Sequence, residues 1–236
     1  MLLVSRKLFF LLSSFFIIFL FSCSTQTNQK SFKKLKSETR NNLQINLDNL
    51  LINLLAADKK LTPKLVQNID GTSYYTYTKK PGESEIDLKE IKKRISLGSE
   101  FYKNDRKNVI SLLKMINELK INNQLNQIES GALGLWIPTR DLIVIDHRVI
   151  YMGSPTFLDV LRHEVIHVAQ SCYGGSRKNF PKRIGLPLEF SKNINLNLSH
   201  NIYSQNPKEV LNIEREAFTY SKVDGAAVKL LKKFCK

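Results

Sequence analysis

Three residues of this chain stand close enough in sequence to share one piece of chemistry: His163-Glu164-Val165-Ile166-His167. If the segment is helical, positions four apart share a face, so both imidazoles can offer a neutral nitrogen to one Zn2+. Glu164 falls on that side too, near enough to take a proton from water activated by the metal. Leu158, Leu161, Val165 and Val168 form a separate apolar stripe, which should face a core. Metal ligation and burial thus use different sides of one helix.

A catalytic zinc needs a third protein ligand and an open fourth position. Downstream, Asn206-Pro207-Lys208-Glu209 reads as a helix start, with Asn206 as N-cap, Pro207 in the first turn and Glu209 as a capping residue. Two carboxylates follow. Glu214 has Val210, Leu211, Ala217 and Phe218 as helical neighbours, whereas Glu216 has Asn212, Ile213, Thr219 and Tyr220. A carboxylate on an apolar face is costly unless it meets a cation. Glu214 is therefore the expected third ligand, with Glu216 in reserve or exposed on the surface. His200 is the fallback in an all-His site, and His147 reads as a surface or core residue.

The elements around these residues divide the chain in two. Residues 121–236 mix strand and helix: Gly131–Trp136 and Asp141–Asp146 read as a hairpin about Pro138-Thr139-Arg140, and Leu142-Ile143-Val144-Ile145 suits a strand covered on both faces. The metal-site helix is expected to start at Thr156 as N-cap, with Asp159 in capping-box position, and to end at Gly174-Gly175. Residues 37–120 read as a helical scaffold. Leucines recur at helical spacing from about Ser37 to Ala57, a second helix opens at Ser84 with Asp87, and a third runs from about Asp105 to Lys120. Tyr74–Thr78 has strand composition. The fold class expected is α+β.

His163-Glu164-x-x-His167 followed by Glu214-Arg215-Glu216-Ala217 resembles the gluzincin group of zinc metallopeptidases, whose third ligand lies in a downstream Glu-x-x-Ala. The resemblance covers about residues 131–225. It implies a zincin-like domain, Glu214 as ligand, and Glu164 as general base and then proton shuttle. His200 and Tyr203 are its candidates for stabilising the oxyanion. It also implies that Gly131–Trp136 offers its edge to an extended peptide, with Trp136 as a cleft wall. This chain departs from the pattern at Phe218, where many relatives place an Asp beside the metal site.

The N-terminus carries an address. Arg6 and Lys7 precede the apolar run Leu8–Phe21, which describes a secretory signal over residues 1–22. As a helix those 14 residues would rise only about 21 Å, short of a bilayer core of roughly 30 Å. Leu20-Phe21-Ser22-Cys23 resembles the bacterial lipobox, which implies cleavage before Cys23 and its lipidation. Residues 23–36 then form the lipid anchor and a polar, basic tether. Cys172 and Cys235 remain, and an exported, oxidising compartment suggests that they pair.

The whole chain has 236 residues and a net charge of +15, which falls to +13 once residues 1–22 and their two cations are removed. Its 42% hydrophobic content excludes wholesale disorder, and three Cys are too few for a disulfide-built mini-protein. The excess charge lacks aromatic–basic interleaving or a nucleic-acid motif, so no nucleic-acid partner is expected. The expected function is hydrolysis of exported proteins or peptides by a membrane-tethered zinc metallopeptidase. The alternative is an inactive zincin-fold lipoprotein serving as a binding or assembly module.

Overall fold

In the computed structural model the described residues are 44–78, 85–203 and 205–235. The signal segment, Cys23, the tether and Ser84 lie outside them. Residues Asn41–Lys236 form one compact unit. Among the described residues no helix is long and apolar enough to cross a membrane.

The first half is helical, with shifted boundaries. Helix α1, Leu47–Leu61, starts where the Asn46 side chain accepts the N–H of Asn49, and it buries Leu50, Leu54 and Ala57 together with Asp58. A hairpin of β1, Lys64–Gln67, and β2, Ser73–Thr76, follows. Only β2 is anticipated by the Tyr-rich run; β1 is four mostly exposed residues with no alternation to betray it. Helix α2, Leu88–Leu97, is capped by Asp87, which accepts the N–H of Glu90 at 2.7 Å. After a 3-10 turn at Gly98–Tyr102, α3 spans Lys103–Glu118 and buries Val109, Leu112, Leu113 and Ile116.

The second half builds a three-stranded sheet ordered β3-β5-β4, from β3 at Asn122–Asn126, β4 at Gly134–Ile137 and β5 at Leu142–Asp146. Strands β4 and β5 form the expected hairpin, and β5, in the middle, is buried along its whole length. Strand β3 pairs parallel to β5. Its sequence, Asn-Asn-Gln-Leu-Asn, opposes strand formation by propensity. Pairing with β5 overrides it, and buried Asn123 is paid for by bonds to Ile45 N (2.9 Å), Asn117 Oδ1 (2.7 Å) and Ile121 O (3.3 Å).

Among the described residues five further helices follow: α4, Arg148–Tyr151; α5, Ser154–Tyr173; α6, Lys192–Leu198; α7, Lys208–Ser221; and α8, Ala226–Phe234. Helix α5 is central, packing against α3, α7, α8 and β4, and its stripe Leu158, Leu161, Val165, Val168 is buried as expected. Its start differs from the expectation. Thr156 is inside the helix, and the cap position is Gly153, at φ +82°. The N-terminal amide is capped from afar, because Asp58 of α1 accepts Ser154 N–H (2.8 Å) and Ser154 Oγ–H (2.7 Å). A Cβ on residue 153 would lie 2.4 Å from Leu61 Cδ1 and 3.1 Å from Asp58 Oδ1, so glycine admits α1 here. Helix α7 starts one residue later than read, with Pro207 at the cap position and Glu209 exposed in the first turn.

Candidate metal centre

Helix α5 supplies His163, Glu164 and His167, and α7 supplies Glu214. The two Nε2 atoms are 3.0 Å apart, and Glu214 Oε2 lies 3.2 Å from His163 Nε2 and 3.3 Å from His167 Nε2. Ligands about 2.0–2.1 Å from a tetrahedral zinc would stand about 3.3 Å from one another. The three atoms thus form nearly one face of such a tetrahedron. Two imidazole nitrogens and one carboxylate oxygen are also a donor set that zinc accepts.

The electrostatics fit a site built around positive charge. Burial pulls His163 below the ordinary histidine value, Glu214 notwithstanding. Burial opposes the charged form of His167 as well, but the charge and hydrogen bond of Glu214, with Glu164 and Gln170, carry it up to about 9. Burial would raise Glu214; the two histidines outweigh it and hold that carboxyl well below the usual range. Burial, with the charge of Glu214, outweighs the charge of His167 and the backbone N–H of Trp136 and pushes Glu164 up to about 8.

Glu164 touches the sheet rather than the triad. The backbone N–H of Trp136 favours its charged form, and a Cβ on residue 134 would lie only 2.5 Å from its Oε1. Gly134 therefore lets the edge strand β4 approach α5 closely enough to hold the carboxylate. The segment expected to offer its edge to a peptide contains this edge strand. Trp136 is not a cleft wall: its ring is in the core, and Nε1–H donates to Ser171 Oγ at 2.9 Å. A buried indole needs such a partner for its N–H, and helix α5 provides it.

The other candidates sort clearly. Glu216 is not a reserve ligand. It is fully buried and accepts N–H groups from Gln170 Nε2 (2.9 Å), Ile184 (2.8 Å), Gly185 (2.9 Å) and Leu186 (2.9 Å). The sequence misleads here because Glu216's helical neighbours are more polar than Glu214's, while the residues that cover it come from a loop thirty positions away. His200 is exposed in the turn after α6 and is not part of the His163–His167–Glu214 group. His147 is exposed beside Asp146. Tyr203 is half-buried near the centre: burial raises its hydroxyl well above the ordinary value, and the charges of Glu214 and Glu164 raise it further.

The two histidines are supported unequally. His167 Nδ1 is 2.7 Å from Gln170 Oε1, a residue the sequence reading missed although it lies one helical turn away. His163 Nδ1 is buried with no hydrogen-bond partner among the described residues, and the Phe218 ring lies 4.3 Å from its own. Phe218 thus stands against His163. Beyond the site, Cys172 and Cys235 are disulfide-bonded, with Cα atoms 5.3 Å apart, joining the end of α5 to the end of α8. No protein-family model, curated protein or solved structure matches this chain.

Proposed function

We propose that this chain is a zinc-dependent peptidase, exported and tethered to a membrane through Cys23. The observation that carries the reading is the convergence of His163, His167 and Glu214, with Glu164 buried on the same helix as the two histidines. When bound, zinc would supply Lewis acidity toward water and a peptide carbonyl. Glu164 takes the proton from the attacking water and returns it to the leaving amine. Its raised pKa suits proton return, and a nearby divalent cation lowers it into the range of a working base. Tyr203, its hydroxyl kept protonated by burial and two carboxylates, donates a hydrogen bond to the developing oxyanion. The signal-like residues 1–22 and the lipobox-like segment support export and anchoring.

Metal analysis of the purified chain, with digestion of a peptide library by wild type and Glu164→Gln, tests this reading. One zinc per chain in both proteins is expected, with hydrolysis about 10^3-fold slower in the variant. A wild type that binds no zinc sinks the proposal. The unpartnered His163 Nδ1 and the Phe218 ring favour a second reading, a non-catalytic zincin-like binding module. Zinc bound without hydrolysis of any library peptide by wild type would favour that reading.

A further inference from the structure

We infer that Gln170 is the positioning residue of the metal centre, its side-chain amide linking the buried Glu216 carboxylate to His167 Nδ1. This rests on the zinc reading above. The amide's orientation follows from its partners. Ile213 O (3.1 Å) and the Glu216 carboxylate (2.9 Å) can only accept, so both must face the Gln170 nitrogen. The oxygen therefore faces His167, whose Nδ1 must donate across 2.7 Å. A proton on Nδ1 leaves the Nε2 lone pair free, directed into the triangle shared with His163 and Glu214.

The anchor behind this amide is firm. Glu216 has no exposed surface and is fixed by three consecutive backbone N–H groups of residues 184–186 as well as by Gln170. Ring orientation at His167 thus depends on a chain of bonds running from loop to α7 to α5. In metal sites generally, a carboxylate or carbonyl fixes the second imidazole nitrogen and strengthens the ligand. Here an amide stands between carboxylate and imidazole, passing on the direction of the bond without placing a second negative charge against the ring. Among the described residues nothing equivalent serves His163, so His167 carries the hydrogen-bonded support of the centre.

Zinc affinity of the full-length chain, measured by competition with a chromogenic chelator, tests the assignment. Gln170→Leu removes all three side-chain bonds and should weaken zinc binding roughly 10- to 100-fold. Gln170→Glu should bind within a few-fold of wild type, because one proton shared with Glu216 lets the new carboxyl accept from His167 while donating to Glu216. Wild-type affinity in Gln170→Leu, or equal loss in both variants, overturns the assignment while leaving the zinc reading intact. No zinc binding by wild type overturns both. Should Gln170→Leu fail to fold, nuclear magnetic resonance of the zinc-loaded wild type decides. A His167 Nδ1–H signal protected from solvent exchange supports the role, and its absence overturns it.

Discussion

At the start of α5 the holding group is a carboxylate from another helix; at its end it is a disulfide. The first is Asp58, which caps Ser154 and pairs with Arg106 of α3. Arg106 also donates to Ser99 O (2.8 Å) and Glu100 Oε1 (3.3 Å), so the buried ion pair is hydrogen-bonded on both sides. The second is Cys172–Cys235, reinforced by the bond from Trp136 to Ser171. About 30 Å of helix separates the two, and the metal-site residues lie between. The difference teaches that one rigid element can be fixed by charge at one end and by covalent linkage at the other, so different solution conditions should loosen each.

The largest effect is expected at the charged end. Arg106→Met keeps much of the side-chain volume but strands the Asp58 carboxylate, which has no exposed surface. Breaking one side of a buried pair typically costs about 3–5 kcal/mol. The lower figure is expected, because the amide end of α5 still offers Asp58 partial compensation. The double variant Asp58→Asn with Arg106→Met should recover part of the loss in urea denaturation, since no uncompensated charge then remains. If the double variant is less stable than Arg106→Met, the pair is not what holds this end.

At the covalent end the bond closes a loop with a sequence separation of 63 residues. Replacing both cysteines by Ser should lower stability by about 2–4 kcal/mol. Reductant should mimic the double variant and have no further effect on it. Because the two ends are far apart and share no partner, the Arg106 and cysteine losses should add within about 0.5 kcal/mol. Strong coupling between them would mean that α5 responds as one body, and the contrast between its ends would collapse.

These two anchors were not equally legible in the amino-acid sequence. The cysteines could be paired by elimination, since Cys23 is absorbed by the lipobox-like segment. Asp58 and Arg106 carry no such mark: each sits in a helix whose pattern reads as ordinary, and their meeting with Ser154 joins three elements over 96 positions. The same division runs through the candidate metal centre. His163, Glu164 and His167 are read from local spacing, and Glu214 from the apolar character of its neighbours. Glu216 and Gln170 acquire their roles only when residues 184–186 fold over α7, and strand β3 exists only because β5 offers a partner. Short-range periodicity exposes what a helix face carries. It is blind to buried polar groups satisfied by distant backbone.

The smallest predicted effect probes the charged end by pH. Asp146, buried where β5 leads into α4, accepts from Ile128 N (2.9 Å), Arg148 N (2.9 Å), Arg148 Nε (2.8 Å) and Arg148 Nη2 (3.0 Å). Burial alone would raise it, but the bonds and charge of Arg148 together with the N–H of Ile128 hold it at about 2. An unfolded Asp titrates near 3.9, so its folded value is depressed. The unfolded chain therefore binds the proton first as pH falls, and the stabilisation, full above about pH 4, drains away as pH approaches 2. It amounts to between about 2 and 3 kcal/mol. Urea denaturation of wild type and Asp146→Asn between pH 5 and pH 2.5 should show the two curves converging on acidification, because only wild type has this carboxylate to lose. The residues 148–153 that follow lead directly to the Gly153 cap, so acid should loosen the start of α5 while leaving the disulfide end protected in hydrogen exchange. Equal loss of protection at both ends under acid would show that charge and covalent linkage do not divide the helix between them.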